Sequence, residues 1–215
     1  MKHGSDDYEV LTNYANVAYA KPPEMDFAEI GGSIEAYEAA VRIDPKRPEA
    51  HVGLAIMLLA QGRLEEAWPH YEYRLDASLG QNKAAAYTHK FKRWKGGKLE
   101  QKNLMISAEQ GIGDEVFFAM LFPQLRARGA NLFIGCDPRL VSIYERSFPG
   151  AVAAPFEDNV LNGLRCRSFP KFEKRPLPRH LRVDCEIPLV SLPMHFWKDI
   201  SDLPDMSGGY LTACP

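Results

Sequence analysis

The feature that most constrains the fold of this chain is the stretch at residues 102–119, with the sequence KNLMISAEQGIGDEVFFA. Its apolar run at residues 104–108 has the length of a β-strand, and the turn that follows contains Gly111 and Gly113. The apolar-rich segment at residues 116–125 then has the length of a helix. A strand, a tight glycine turn and a helix in this order predict the opening of an α/β fold.

This turn is the candidate functional site. It brings backbone N–H groups and the positive end of a helix dipole to one point, where an anion or a reacting hydroxyl can bind. The candidate substrate-binding residues are Glu109, Gln110, Gly111, Ile112 and Gly113. Glu109 and Gln110 have two interpretations, since each side chain either reaches a ligand or only holds the turn. Val116 occupies the place of the third glycine of a dinucleotide fingerprint, so NAD is not expected.

The sequence after this turn continues to alternate between strand and helix patterns. The predicted strands span residues 130–136, 151–154 and 181–187. A helix is predicted from Asp137, its N-cap, to Phe148, and a short helix or turn at residues 188–197. Prolines and arginines predict an irregular excursion at residues 155–178, and residues 210–212 resemble a strand. The alternation favours a parallel sheet in a Rossmann-like layer arrangement.

The sequence before residue 76 is helical, and its pattern occurs twice. In the second copy, residues 44–55 open a helix, Gly62 marks a turn, and residues 68–75 continue as a second helix. The first copy has helices at residues 13–19 and 33–45. These copies resemble tetratricopeptide (TPR) repeats, units of about 34 residues that pair two antiparallel helices.

Two further features of the helical region bear on this resemblance. Ala55 and Ala67 are small residues at positions where the two helices of a repeat touch, because close approach excludes a larger side chain. An insertion at residues 21–27 separates the two helices of the first copy. The predicted all-α part therefore consists of two TPR-like helical hairpins.

The predicted domains are the helical repeats of residues 1–78, a connector of residues 79–100 and an α/β domain of residues 101–215. The basic run at residues 90–95 in the connector is interpreted as a solvated linker. Trp94 is expected to pack against a domain surface, and the alternative is that it stacks on a sugar or a base.

Composition excludes several classes of protein. With 215 residues, a net charge of -2 and 25% charged residues, the chain lacks the basic character of a nucleic-acid binder. The cysteines have no metal-site spacing and predict a reducing compartment; they are Cys136, Cys166, Cys185 and Cys214. No apolar run reaches the length of a membrane span, and residues 1–7 do not resemble a signal peptide. We therefore expect a cytoplasmic protein with no metal, no cofactor and no membrane span.

One combination of segments resembles a known family. Its central part is Glu-Gln-Gly-Ile-Gly-Asp at residues 109–114, followed by Phe-Phe-Ala at residues 117–119. Further segments that share the resemblance are Pro-Gln-Leu at 123–125, Arg-Gly-Ala at 128–130, Ile-Pro-Leu-Val-Ser-Leu-Pro at 187–193, Leu-Pro at 203–204 and Gly-Tyr-Leu at 209–211. Together they resemble bacterial TPR proteins with a glycosyltransferase-like domain, which is similar to the heptosyltransferases. Helical repeats ahead of a transferase are similar to the plan of the O-linked N-acetylglucosamine transferases.

The resemblance implies a GT-B architecture, in which two Rossmann-like domains face each other across a cleft, and this chain would hold only the N-terminal half. In heptosyltransferase-like enzymes the aspartate of the Gly-Asp pair is the proposed base that deprotonates the acceptor hydroxyl. By the match of motif that residue is Asp114. The physical chemistry agrees, because a general base has to stand exposed beside its substrate. A second role is equally open, since aspartate commonly caps a helix.

Three functions are compatible with these patterns. The first is the acceptor-side half of a hexosyl- or heptosyltransferase, which uses a sugar nucleotide and a glycan or protein acceptor and is not expected to be active alone. The second is a non-catalytic module whose TPR groove binds a protein or peptide, with the α/β part as a support. The third is a small nucleotide- or phosphate-binding protein that uses the turn at residues 111–113.

Overall fold

The structure, a computed structural model, describes residues 3–19, 27–79, 86–161, 164–174 and 177–213. It confirms the predicted α/β class, because N-terminal helices precede a sheet of four parallel strands. The chain forms two compact units, a helical unit (Met1–Ala84 with Trp197–Asp202) and an α/β unit (Ala85–Phe196 with Leu203–Pro215). Residues 21–26 of the predicted insertion and Cys214 lie outside the described residues.

In the described part of the helical unit, four helices pack each on the next along the chain. They are α1 (His3–Tyr19), α2 (Phe27–Ile43), α3 (Pro48–Ala60) and α4 (Leu64–Tyr71), and 3₁₀ turns follow at Glu72–Leu75 and Ala77–Leu79. The turn between α3 and α4 contains Gly62, whose φ of 74° lies in the left-handed region that favours glycine. The predicted turn at Gly62 is therefore confirmed.

The core of the helical unit contains small residues that let helices approach closely. Its fully buried alanines include Ala15, Ala40, Ala55 and Ala67, each 0% exposed. The burial of Ala55 and Ala67 agrees with the sequence prediction. Gly53 in α3 lies against Tyr37 of α2, where a Cβ atom would overlap the phenol ring. The packing of α2 on α3 therefore depends on the absence of a side chain at residue 53.

A short segment from late in the sequence completes the helical unit. The indole N–H of Trp68 in α4 donates a hydrogen bond to the carbonyl of Trp197 (2.8 Å). The backbone N–H of Glu65 donates to the carbonyl of Lys198 (3.1 Å), and the Lys198 ammonium lies 2.9 Å from the Glu65 carboxylate. The α4 helix therefore gains backbone and side-chain partners that local sequence patterns do not reveal.

The described residues of the α/β unit form seven strands and four helices, with 3₁₀ turns between them. The strands are β1 (Ala86–Tyr87), β2 (Asn103–Ser107), β3 (Asn131–Cys136), β4 (Val152–Pro155), β5 (Glu157–Leu161), β6 (Leu164–Ser168) and β7 (Cys185–Pro188). The helices are α5 (Ile112–Phe118), α6 (Phe122–Ala127), α7 (Val141–Ser147) and α8 (Pro170–Glu173). The predicted strands at 130–136 and 151–154 are confirmed, whereas only the end of the predicted strand at 181–187 is a strand.

The main sheet has the order β4-β3-β2-β7, and all its neighbouring strands are parallel. In its centre Ile106 of β2 pairs with Ile134 of β3 on one side and with Ile187 of β7 on the other. Each of these isoleucines is 1% exposed. Continuous apolar runs of this kind are typical of parallel strands that are covered on both faces.

The predicted helix at residues 116–125 is present but interrupted. It consists of α5 and α6, which are joined by a 3₁₀ turn at Ala119–Leu121. Pro123 lies in the first turn of α6, where its missing N–H leaves no helical hydrogen bond unmade. The helix predicted after Asp137 is confirmed, because the Asp137 carboxylate accepts a hydrogen bond from the Arg139 N–H (2.9 Å) at its start.

The prediction of an irregular excursion at residues 155–178 is wrong. This segment contains β5 and β6, which form an antiparallel hairpin, and the helix α8. β6 also pairs in parallel with β1, so that a second sheet has the order β1-β6-β5. The sequence conceals the hairpin because every residue of β5 is exposed, which removes the apolar alternation expected of a strand.

Two further predictions in the α/β unit are wrong. The basic run at residues 90–95 is not a solvated linker, since its backbone pairs with β7: the Glu186 N–H donates to Lys92 (2.8 Å) and the Trp94 N–H donates to Glu186 (2.7 Å). Trp94 is buried, as expected for packing on a domain surface. Residues 210–212 are a bend and irregular backbone rather than a strand, and the Tyr210 hydroxyl donates to the Val116 carbonyl (2.6 Å).

Candidate functional site

The topology of the main sheet marks where a ligand can bind. β3 and β4 follow on one side of β2, while β7 returns to the other side, so the strand order reverses between β2 and β7. In open α/β sheets, ligands bind outside the carboxyl ends of the strands at such a reversal. The turn at residues 108–113 follows the carboxyl end of β2, as the sequence predicted.

Glu109 joins the two strand ends at this reversal. Its Oε1 accepts a hydrogen bond from the backbone N–H of Val190, in the 3₁₀ turn Leu189–Ser191 that follows β7 (2.9 Å). Of the two interpretations open for Glu109, this contact corresponds to the one in which its side chain holds the turn. The carbonyl of Gln110 accepts a hydrogen bond from Arg167 (3.2 Å), so the backbone of the turn is also fixed from β6.

Asp114 caps its own helix. Gly111 is the N-cap of α5, and its N–H donates to Oδ2 of Asp114 (3.1 Å), which is the reciprocal half of a capping box. The Asp114 side chain is half-buried, and Gly113 is exposed. A Cβ atom at Gly113 would meet no other atom within 4 Å, so this glycine is not required by a close approach within the described chain.

A cleft of about 500 Å³ opens at the carboxyl ends of β2, β3 and β4 and is bounded by β5 and β6. It is lined by Gln110, Gly111, Ile112, Glu115, Asp137, Pro138, Arg139, Phe156, Asp158 and Arg167. Of the residues proposed from sequence, Gln110, Gly111 and Ile112 therefore line the cleft. Glu109, Gly113 and Asp114 belong to the same turn but are not among the lining residues.

Glu115 is the most deeply buried acid in this cleft, with 2% of its surface exposed. Its Oε2 accepts a hydrogen bond from the Asp137 N–H (2.8 Å), and its carbonyl accepts one from the Tyr144 hydroxyl (2.7 Å). Burial raises the pKa of Glu115 to about 7, although the Asp137 N–H and the charge of Arg167 oppose the shift. Its carboxyl group therefore titrates near neutral pH, as acids in functional sites often do.

Arg167 forms the opposite part of the cleft and is 7% exposed. Its Nη2 donates to the Gln110 carbonyl (3.2 Å), and its Nε lies 3.4 Å from the Asp158 carboxylate. The guanidinium carbon lies 4.0 Å from the ring centroid of Phe156, a cation–π contact. This cluster brings the end of β2 together with β4, β5 and β6.

A second pair of charges lies at the edge of the cleft. Arg139 is exposed, and its guanidinium lies 2.9 Å from the Asp137 carboxylate. The hydrogen bonds from Arg139 lower the pKa of Asp137 to about 2, so this acid stays ionised. Within the cleft, a buried acid that titrates near pH 7 therefore lies beside an acid that is charged at all ordinary pH values.

The sequence patterns do not point to Glu115, Arg139, Asp158 or Arg167 as site residues. Glu115 follows Asp114 directly, and the adjacent pair of acids was the only local signal for it. Arg167 and Asp158 face each other across the β5–β6 hairpin, where their strands pair. Predicting that hairpin is the step that would have brought both residues to the site.

The described residues also bear on a metal site, a reactive cysteine and a helix that could cross a membrane. No group of three or more His, Cys, Asp or Glu residues there has the geometry to hold a metal ion. Cys136, Cys166 and Cys185 are buried thiols, and burial raises the pKa of Cys136 and of Cys185. None of the described helices combines the length and the apolar character that crossing a bilayer requires.

Comparison with known proteins finds a partial similarity. Protein FlbA of Caulobacter vibrioides (strain ATCC 19089 / CIP 103742 / CB 15) is 35% identical over 167 residues. The aligned region covers 74% of this chain but 27% of FlbA, so the chain spans about a quarter of the length of this relative. No family model matches the chain, and no solved structure matches it.

Proposed function

We propose that this chain is the acceptor-side half of a sugar-nucleotide-dependent glycosyltransferase of the hexosyl or heptosyl type. In this proposal the cleft receives the acceptor, a glycan or a protein, and the turn at residues 109–114 supplies the base. A second Rossmann-like domain, from further sequence or another chain, binds the sugar nucleotide. The reaction is assigned to the cytoplasm, a reducing compartment in which buried cysteines stay thiols.

The observation that carries this proposal is the cleft at the carboxyl ends of β2, β3 and β4. Its volume of about 500 Å³ is that of a small-molecule site, for which about 300–1,000 Å³ is typical. It combines an apolar wall at Ile112 and Phe156 with a few convergent charged groups. The strand order beside it supports a Rossmann-like unit of the kind found in GT-B enzymes.

Asp114 is the proposed general base. Its carboxylate is fixed by the Gly111 N–H (3.1 Å) at the turn that borders the cleft. It accepts the proton of the acceptor hydroxyl while that oxygen attacks the anomeric carbon and the nucleoside diphosphate departs. The charge that develops on the diphosphate needs hydrogen-bond donors from the second domain, so the chain alone is not expected to turn over sugar nucleotides.

The helical unit is proposed to be a pair of TPR-like hairpins ahead of the transferase half. Three features support this: the consecutive packing of α1 to α4, the glycine turn at Gly62, and the buried alanines Ala55 and Ala67. The similarity to FlbA covers most of this chain and about a quarter of FlbA, which leaves room in FlbA for a second domain.

The experiment is a transfer assay with and without the second domain. The chain is incubated with UDP-, GDP- and ADP-linked hexoses and heptoses, alone and together with the segment or chain that supplies the second domain, and nucleotide release is measured. Turnover is expected only for the complete assembly, and Asp114→Asn should abolish most of it. Loss of turnover in Glu115→Gln but not in Asp114→Asn would assign the base to Glu115. Absence of turnover with every donor would refute the transferase proposal.

A second candidate function is a non-catalytic module that binds a protein or peptide through the helical repeats. The observation that favours it is an exposed apolar pair on α1, since Val10 is 66% exposed and Tyr14 is 61% exposed. Residues four apart lie on one face of a helix, so these side chains form one small apolar surface. If Val10→Ser with Tyr14→Ser leaves transfer in the complete assembly intact but removes binding of a partner protein, the two functions coexist.

A further inference from the structure

Two buried side chains of opposite charge line the cleft without pairing with each other. Arg167 is 7% exposed and Glu115 is 2% exposed. The Arg167 charge acts on Glu115, because it opposes the rise in the pKa of that carboxyl. In the part of the chain that the structure describes, however, no ion pair joins the two groups. A buried polar atom without a hydrogen-bond partner is unfavourable, so a ligand that bonds to both groups would be stabilised here.

Arg167 has N–H donors that make no hydrogen bond to the described residues. Its Nη2 and Nε are used by the Gln110 carbonyl and the Asp158 carboxylate, whereas Nη1 is buried and has no hydrogen-bond partner among the described residues. The ring of Phe156 lies against the guanidinium and holds its plane. A planar guanidinium offers pairs of parallel N–H groups, which match the oxygens of a phosphate or a carboxylate.

Glu115 offers the complementary group. Its Oε2 accepts the Asp137 N–H (2.8 Å), while Oε1 accepts no hydrogen bond from the described residues. In its acid form the carboxyl donates a hydrogen bond, and in its ionised form it repels an anion. The titratable and charged groups around it are Arg167 on β6, Cys136 at the end of β3, Asp137 and Arg139 after β3, and Tyr144 on α7.

We propose that the cleft binds an oxyanion, a phosphate or carboxylate group, through the guanidinium of Arg167 and the carboxyl of Glu115 in its acid form. This deepens the proposed function and rests on it, since it makes the acceptor an anionic molecule. Because the pKa of Glu115 is raised to about 7, the acid form is populated near neutral pH. An anion beside it stabilises that form further, so binding takes up a proton.

The wild-type chain tests this proposal with two probes of constant charge. Sulfate represents the phosphate source and glucuronate the carboxylate source, and glucose is the uncharged control for glucuronate. Calorimetric titrations at constant ionic strength should give saturable binding of at least one anion and none of glucose. Affinity should be about tenfold higher at pH 6 than at pH 8, because Glu115 loses its proton across this range. At pH 7, two buffers of different protonation enthalpy should reveal uptake of about half a proton per anion bound.

Three variants assign the effect to its residues. Arg167→Gln should weaken anion binding at least about tenfold, as expected when a charged hydrogen bond is lost. Glu115→Gln should keep the binding but lose its pH dependence, because the amide is neutral at every pH and still offers N–H donors. Arg126→Gln is the matched control, since Arg126 on α6 is exposed and is not among the residues that line the cleft. It should change the affinity by less than about twofold, because solvent and salt screen an exposed charge at that distance.

Several outcomes would overturn the proposal: no saturable binding of either anion, equal losses in Arg167→Gln and Arg126→Gln, or an unchanged pH dependence in Glu115→Gln. Binding of either anion that strengthens as the pH rises would also overturn it, because the acid form of Glu115 would then not take part in binding. If Arg167→Gln does not fold, the proposal is still tested by the proton uptake of the wild type and by the pH dependence of anion binding in Glu115→Gln. Anion binding without sugar transfer by the complete assembly would refute only the proposed function. Transfer without any anion binding would refute only this inference.

Discussion

The Nδ1 atoms of His51 and His70 lie 2.6 Å apart and join α3 to α4 through a hydrogen bond between two imidazoles. The Nε2 of His51 lies 3.0 Å from the Pro45 carbonyl, which can only accept, so this nitrogen carries the proton. With that tautomer His51 accepts at Nδ1, and His70 donates from its own Nδ1. The ring of Tyr73 stacks on His51 at 3.7 Å and closes the cluster.

This pair makes the helical unit sensitive to acid. Burial, and then the neighbouring His51, lower the pKa of His70, while Glu38 and Glu66 oppose the shift. The unfolded chain therefore binds the proton more readily. The stability that His70 contributes is fully present above about pH 6.5 and is lost as the pH falls through the lowered pKa of the folded state.

We predict that His70→Gln makes the thermal stability less dependent on pH between pH 8 and pH 5. The glutamine N–H can still donate to His51 but does not titrate. Melting of the full chain, followed by circular dichroism, measures the change. The exposed His180 serves as control, and His180→Gln should leave the pH dependence as it is in the wild type. An equal effect of both variants would contradict the prediction.

The contact of Gly53 with Tyr37 gives a second prediction. Replacing a glycine inside a helix by alanine usually stabilises a protein by about 0.5–1 kcal/mol. At Gly53 the new Cβ would overlap the Tyr37 ring, so Gly53→Ala should instead destabilise the helical unit by about 1–3 kcal/mol. Gly32→Ala in α2 is the matched control, because a Cβ there meets only the Tyr14 hydroxyl at 4.0 Å. In denaturant unfolding the two substitutions should have opposite signs.

Glu115 should make the α/β unit less stable as the pH rises, whereas an acidic residue usually makes a fold less stable as the pH falls. Because its folded pKa is raised to about 7 from 4.5, its stabilising contribution is fully present below about pH 4.5 and lost as the pH rises through 7. This loss is on the order of 3 kcal/mol. Glu115→Gln should therefore melt higher than the wild type at pH 8, by on the order of 5 °C, and the difference should shrink at pH 5.

The control for Glu115 is a glutamate on the same unit that faces solvent. Glu145 in α7 is exposed, so Glu145→Gln makes the same chemical change without relieving a buried charge. Its melting temperature should follow that of the wild type at both pH values. A Glu115→Gln variant that melts below the wild type at pH 8 would mean that the Asp137 N–H bond outweighs the burial of the charge.

The sequence predicted the turn but not the cleft beside it, and the reason is physical. β2 and the turn at Gly111 are encoded locally, by an apolar run that ends at glycines. β5 is an exposed strand whose pairing with β6 is decided by hydrogen bonds rather than by apolar alternation. Arg167 meets Gln110 from 57 residues away, a contact that only the pairing of β1, β5 and β6 creates.

The burial of Glu115 also cannot be predicted from the residues next to it in the sequence. A pattern of residues assigns Asp114 and Glu115 alike to the start of a helix. The rotation of α5 exposes part of Asp114 and turns Glu115 toward Asp137 and Tyr144. Which of two adjacent acids is buried depends on elements that follow later in the chain, and so does the pKa of the buried one.

Two substitutions of Asp114 separate its role as a base from its role at the start of α5. Because its Oδ2 accepts the Gly111 N–H at 3.1 Å, an asparagine carbonyl can replace it as the cap. Asp114→Asn should therefore lower stability by only about 0.3–1 kcal/mol, the loss of a charge at the helix dipole. Asp114→Ala also removes the hydrogen bond to the Gly111 N–H and should cost about 0.5–1.5 kcal/mol more.

If Asp114 is the base, the order of the same variants by turnover should differ from their order by stability. An amide cannot accept the proton of the acceptor hydroxyl, so in the complete two-domain assembly Asp114→Asn should lower turnover by roughly 10²–10⁴-fold, as much as Asp114→Ala. A residue that only caps would instead make asparagine harmless in both assays and alanine harmful in the melting assay alone. Melting and turnover measured side by side decide between the roles, and unchanged turnover in Asp114→Asn would remove Asp114 from the chemistry.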